Sequence, residues 1–95
     1  MFIVDLAYVA PLEAVDAHLG AHVAFLKEQY EKGVFIASGR KEPRTGGVII
    51  ARCASAGELQ AVLNKDPFKR NGVAWYTVTE FIPSMTAKGL EALMA

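Results

Sequence analysis

The chain has no excess of charge, almost no cysteine and no long apolar run, and each deficit excludes a class of protein. Ten basic residues balance ten acidic ones among 95, so the formal net charge is zero. Neither sign forms a long run, and the phosphate-attracting field of a DNA or RNA binder is missing. The single cysteine, Cys53, cannot close an internal disulfide. Set in the run VIIARC, it reads as a small core or strand residue without a redox role, which fits a reducing cytoplasm. No apolar stretch approaches the ~20 residues that cross a bilayer. The N-terminus opens on strand-like sequence, without a basic start and a long apolar stretch, so a soluble cytoplasmic protein with no membrane partner is expected. Repeats, low-complexity segments, CxxC pairs and HExxH patterns are also absent.

What is present is apolar: 53% of residues are hydrophobic and 21% charged, the balance of a stable globule. A single domain of this length buries only about 60 to 65% of its unfolded surface when it folds alone, so burial against a partner would help it.

Residues 2 to 9, FIVDLAYV, are β-branched and aromatic and end at Pro11, which predicts a first strand. Phe2, Val4, Leu6 and Tyr8 line one side of it. Ile3, Ala7 and Val9 line the other with Asp5, so neither side looks designed for water. Pro11, Glu13 and Asp16 suit a helix N-terminus, and a helix is expected from Leu12 to Lys32, stopped by Gly33. Strand 2 should cover Val34 to Ser38 and strand 3 Val48 to Cys53, joined by the polar loop of residues 39–47. Ser55 and Glu58 have capping-box spacing, which opens a helix from Ala56 to about Lys65. Asp66-Pro67-Phe68 breaks that helix, Asn71-Gly72 turns the chain, and Val73 to Ile82 forms a long aromatic strand. The tail, residues 83–95, has weak helical character.

At 100° per residue, Val15, Leu19, Val23, Leu26 and Tyr30 make one apolar stripe on the first helix, while Lys27, Glu28 and Glu31 point elsewhere. His22 falls inside the stripe. An ionisable ring there is either a core histidine bonded to a backbone carbonyl or a working imidazole.

The order strand, helix, strand, strand, helix, strand is that of a ferredoxin-like α+β fold. Two helices cover one sheet face only. Because strands 1 and 4 carry apolar residues on both sides, including Trp75, Tyr76, Val78 and Phe81, the other face calls for a cover, most simply a second copy in a symmetric homodimer.

Three blocks then resemble the YCII-related family of small dimeric α+β proteins. They are His22-Val23-Ala24-Phe25-Leu26 followed by Gly33 to Gly39; Gly46-Gly47-Val48-Ile49-Ile50 leading to Ser55-Ala56-Gly57-Glu58-Leu59; and Asp66-Pro67-Phe68 with Gly72 and Glu80-Phe81. The resemblance implies a domain over residues 1–82 that pairs sheet to sheet as a dimeric α+β barrel. It also implies an active site built on His22 and Asp66. Most members have no assigned reaction, although one is a dehydrochlorinase acting on a chlorinated hydroxyquinone. Some carry the name cyclohydrolase, but nothing in this sequence supports the zinc site such a reaction suggests.

A histidine beside a carboxylate forms an acid-base unit, the carboxylate fixing the tautomer of the imidazole. Asp66 also has a plain reading as a helix cap ahead of proline. His18, four residues before His22, could join it on a metal or line a pocket, but no third ligand is in sight and no metal or cofactor is expected. Arg40, with Lys41 and Arg44, could receive a carboxylate or phenolate, or be a solvated loop charge. Tyr8, Trp75 and Tyr76 could line an aromatic pocket, but core or interface is the commoner role. Gly46-Gly47 lacks the pattern of a phosphate loop.

The expected protein is therefore a small cofactor-free enzyme of lyase or isomerase type. His22 and Asp66 are its catalytic pair, His18, Arg40 and Phe68 contact a small cyclic or aromatic substrate, and elimination or isomerisation is the reaction. The alternative is a non-catalytic homodimeric module for small-ligand binding or assembly.

Overall fold

Strand β1, Phe2–Tyr8, is the axis of the sheet. It pairs antiparallel with β3, Gly46–Ala51, on one side and with β4, Ala74–Glu80, on the other, and β3 pairs antiparallel with β2, Phe35–Arg40. The order β2-β3-β1-β4 is that of a ferredoxin-like sheet. The computed structural model describes residues 1–94, and Ala95, the end of the tail, lies outside the described residues. Alternation along β1 holds as read: Phe2, Val4 and Leu6 are buried under the helices and Ile3 is 39% exposed on the opposite face.

The expected single helix over Leu12 to Lys32 is two helices, α1 at Leu12–Ala17 and α2 at Leu19–Glu31, parted at His18. His18 has φ −108° and ψ 2°, outside the helical basin. The segment His18-Leu19-Gly20 contains weak helix formers, so the break costs little. Val15 of α1 lies in the core, and α2 turns His22, Phe25 and Gln29 inward. The expected stripe of Leu19, Val23, Leu26 and Tyr30 lies at the border of the buried face, with Leu19, Val23 and Tyr30 each 37 to 39% exposed.

The other boundaries move by shorter steps. β2 runs on through Gly39 and Arg40, which the sequence reading assigns to the loop, because a bulge between Phe35 and Ala37 carries its pairing with β3 to Gly47. Gly46 opens β3 where no side chain fits: a Cβ there would lie 1.8 Å from the Leu6 carbonyl oxygen. Helix α3 spans Ala56–Leu63 and begins with Ser55 Oγ accepting the Glu58 N–H. Asp66 does more than stop a helix, since it caps a short one, α4, Pro67–Arg70. The tail adds a 3-10 turn at Glu91–Met94.

The helices cover one face only, as the element order implies. The other face is partly covered by the chain itself, which the sequence reading does not foresee. Met85, Leu90 and Leu93 of the tail sit around a cavity of about 240 Å³ against Met1, Ile50 and Phe81. Arg52 Nη2 ties the tail down by donating to the Ala92 carbonyl at 2.6 Å. Trp75 on β4 stays 69% exposed, and beside it Lys41 Nζ donates to Asp5 Oδ1 at 2.8 Å.

Candidate active site

His22 comes from α2 and Asp66 from the turn before α4, 44 residues apart in sequence, and the fold brings them to 2.7 Å between Nδ1 and Oδ1. Asp66 is fully buried and His22 is 8% exposed. The same Oδ1 accepts the Phe68 N–H at 3.0 Å. The cap and the histidine partner, alternatives in the sequence, are thus one group in two roles. The capping bond, with Pro67 at the first helical position, fixes the carboxylate so that His22 meets it in a set direction.

The second oxygen, Oδ2, accepts a short hydrogen bond from the Tyr76 hydroxyl on β4. A buried carboxylate is costly unless it is well bonded. Here three donors, the His22 ring, the Phe68 amide and the Tyr76 hydroxyl, meet it. Burial raises the Tyr76 phenol far above its ordinary range, and its bond to Asp66 raises it further, so Tyr76 keeps its proton and remains the donor.

Phe68 completes the cradle. Its ring stacks on the His22 imidazole with centroids 3.8 Å apart and planes at 5°, while Tyr8 meets Phe68 edge-on at 6.0 Å. With Nδ1–H donated to Asp66, the neutral ring presents Nε2 as a bare lone pair. Among the described residues Nε2 has no hydrogen-bond partner, and it is not one of the sealed unpaired side-chain atoms, which are Gln29 Oε1 and Thr86 Oγ1.

His22 borders a cavity of about 160 Å³ between α2 and the β1-β3-β2 side of the sheet. A dry cavity of about 150 Å³ holds benzene, so the space suits one ring. Its walls are mostly apolar: Leu6, Leu19, Val23, Leu26 and Ile49, with Phe68 beside His22. A cross-strand row explains the opening. Leu6, Gly47 and Arg40 stand side by side on β1, β3 and β2, and the glycine in the middle leaves room. Arg40 lines the same cavity and has no ion-pair partner among the described residues.

Of the residues singled out in sequence, His22, Asp66 and Phe68 come together, and Arg40 shares the cavity with His22 and Phe68. His18 does not line the cavity; it occupies the break between α1 and α2. Lys41 and Arg44 pair instead with Asp5 and Asp16. No group of three His, Cys, Asp or Glu side chains suited to a metal is found among the described residues. Tyr76 is the residue that sequence reading missed as part of the site. A signal was present, since alternation along β4 puts Tyr76 on the buried face with Val78, and a buried tyrosine hydroxyl calls for a partner.

A ferredoxin-like domain with a buried histidine-carboxylate pair beside a ring-sized cavity is the class of protein defined by fold and site. The sequence pattern of the YCII-related domain matches residues 1–82, and the chain belongs to this family. Among solved structures it is similar to 5-chloro-2-hydroxyhydroquinone dehydrochlorinase (TftG) from Burkholderia phenoliruptrix AC1100, determined in complex with 2,5-dihydroxybenzoquinone. The TM-score is 0.71 at 20% identity, over 85% of this chain and 93% of that one, a likeness that shows the shared fold. No curated protein matches the sequence.

Proposed function

We propose that this protein is a small-molecule enzyme in which His22 and Asp66 act as an acid-base pair on a small cyclic or aromatic substrate. One observation carries the reading: His22 Nδ1 is held by a buried carboxylate while Nε2 has no protein partner, on the wall of a cavity the size of a ring. Nε2 takes a proton from a hydroxyl or an acidic ring carbon of the substrate, and Asp66 steadies the imidazolium that forms. The electron pair moves into the ring. Either a leaving group departs from the neighbouring carbon, an elimination, or the proton returns at another position, an isomerisation.

Arg40 receives the developing negative charge on oxygen. Phe68 holds the imidazole in plane, and the apolar walls keep water from the reacting atoms. The structural neighbour's name describes removal of hydrogen chloride from a hydroxylated ring, chemistry that an acid-base pair can perform without a further group. In this reading the protein works as a homodimer in the cytoplasm. Support for pairing comes from the uncovered part of the sheet, where Trp75 and Ile3 are 69% and 39% exposed.

The test is a panel of monocyclic hydroxy- and chloro-substituted quinols and enolisable ring ketones, incubated with the protein in heavy water and followed by NMR. Turnover or deuterium uptake should fall at least about a hundredfold in His22→Gln, the usual share of a general base. Binding without exchange in either protein would favour the non-catalytic ligand-holding module instead.

A further inference from the structure

We infer that Tyr76 is a positioning residue: through its bond to Asp66 Oδ2 it leaves the carboxylate only the role of acceptor toward His22, and so sets which ring nitrogen of His22 carries the proton. The inference rests on the reading of His22 and Asp66 as a working pair, but its test needs no substrate.

The geometry forms a line of donors with one direction. Tyr76 stands opposite Leu6 on β4, on the face covered by the helices, and its hydroxyl donates to Oδ2 while His22 Nδ1 and the Phe68 amide share Oδ1. The ring itself is anchored, because the Lys69 ammonium lies 5.7 Å from its centroid and also donates to Gln60 Oε1 at 3.1 Å. Asp66 has no exposure to water that could replace a lost partner. If the Tyr76 hydroxyl is removed, Oδ2 is left buried and unpaired. The carboxylate can answer by taking a proton or by turning about its Cβ–Cγ bond, and a protonated Asp66 donates to Nδ1 instead of accepting from it. His22 then carries its own proton on Nε2 and loses the lone pair a base needs. A phenylalanine at position 76 would pack as well as tyrosine, so the hydroxyl is what carries the role.

Nitrogen-15 NMR of the two imidazole rings reads this directly, with His18, which lies outside the pair, as the internal reference. In the native protein the His22 signal should be that of the Nδ1–H tautomer, with a slowly exchanging Nδ1 proton. In Tyr76→Phe the tautomer ratio should move about tenfold toward Nε2–H, the factor carried by one hydrogen bond of ordinary strength, and the Nδ1 proton should exchange faster. A folded Tyr76→Phe protein with an unchanged ratio and exchange rate would overturn the inference.

Should that variant fail to fold, 3-fluorotyrosine placed at position 76 alone keeps every atom of the bond and strengthens its donor. The Asp66 charge is then drawn toward Tyr76, and the Nδ1 proton resonance of His22 should move upfield while His18 stays in place. No movement would again overturn it. A tautomer that follows position 76 while His22→Gln retains full turnover would uphold the positioning role and refute the catalytic reading.

Discussion

Replacing Asp66 by asparagine is the perturbation whose effects can be worked out most fully. The change is nearly isosteric, yet one acceptor oxygen becomes an NH2 group that can only donate. If the amide oxygen keeps the Phe68 cap and the His22 bond, the NH2 faces the Tyr76 hydroxyl, which must turn away or accept. If the amide flips, the NH2 faces the His22 ring and a buried backbone N–H, and the ring must adopt the Nε2–H tautomer to accept from it. In either arrangement at least one charge-assisted bond is lost, worth about 1.5 to 3 kcal/mol. A net destabilisation of about 2 to 3 kcal/mol lowers the melting temperature of a domain this size by roughly 10 to 20 °C. Thermal melts followed by circular dichroism measure the loss. In the catalytic reading, turnover falls further than stability, by about 10⁴, as when a histidine is held in the wrong tautomer. An Asp66→Asn protein that melts with the native one and keeps the native His22 ring signals would refute the reasoning, since neither cap nor pair would then depend on the carboxylate.

Other expectations rest on single features. Gly46→Ala should cost about 3 kcal/mol or more and lower the thermal midpoint sharply, because the new Cβ meets the Leu6 carbonyl oxygen at 1.8 Å and neither strand backbone can yield; a native melt would show that β1 and β3 part easily there. Alkaline stability should bear the mark of Tyr76. Its folded pKa lies above the ordinary value of 10.0, so above about pH 10 the unfolded chain releases a proton that the folded chain keeps, and stability falls as pH rises. Denaturant melts between pH 9 and 11 should show that decline in the native protein and a flatter one in Tyr76→Phe. If sheets pair through the uncovered face, Trp75→Glu should convert the dimer to monomer in light scattering, and an unchanged mass would move the interface elsewhere.

Much of the fold could be read directly from the chain because its causes are local. Alternation in FIVDLAYV grouped Phe2, Val4 and Leu6 on one side of β1, Ser55 marked the start of α3, and Gly33, at φ 74°, stops α2 in the left-handed conformation that glycine tolerates. Asp66 before Pro67 announced a cap by its identity alone. Whether that carboxylate also meets His22 is a matter of how α2 and α4 lie over the sheet, which no spacing encodes.

The phase of α2 was likewise beyond the pattern. An apolar stripe picks out Leu19, Val23 and Leu26, yet α2 lies over the sheet so that Phe25 and Gln29 take the core positions and those three residues become cavity wall. Arg40 reads as a loop charge until the bulge in β2 extends the strand and sets it beside Gly47. Tyr76 is an aromatic residue like its neighbours until a carboxylate ten positions earlier in the chain accepts its hydrogen bond. Backbone propensities, caps and strand faces act over a few residues and are written in order. The pair, its third partner and the cavity depend on contacts between distant segments, which only packing brings together.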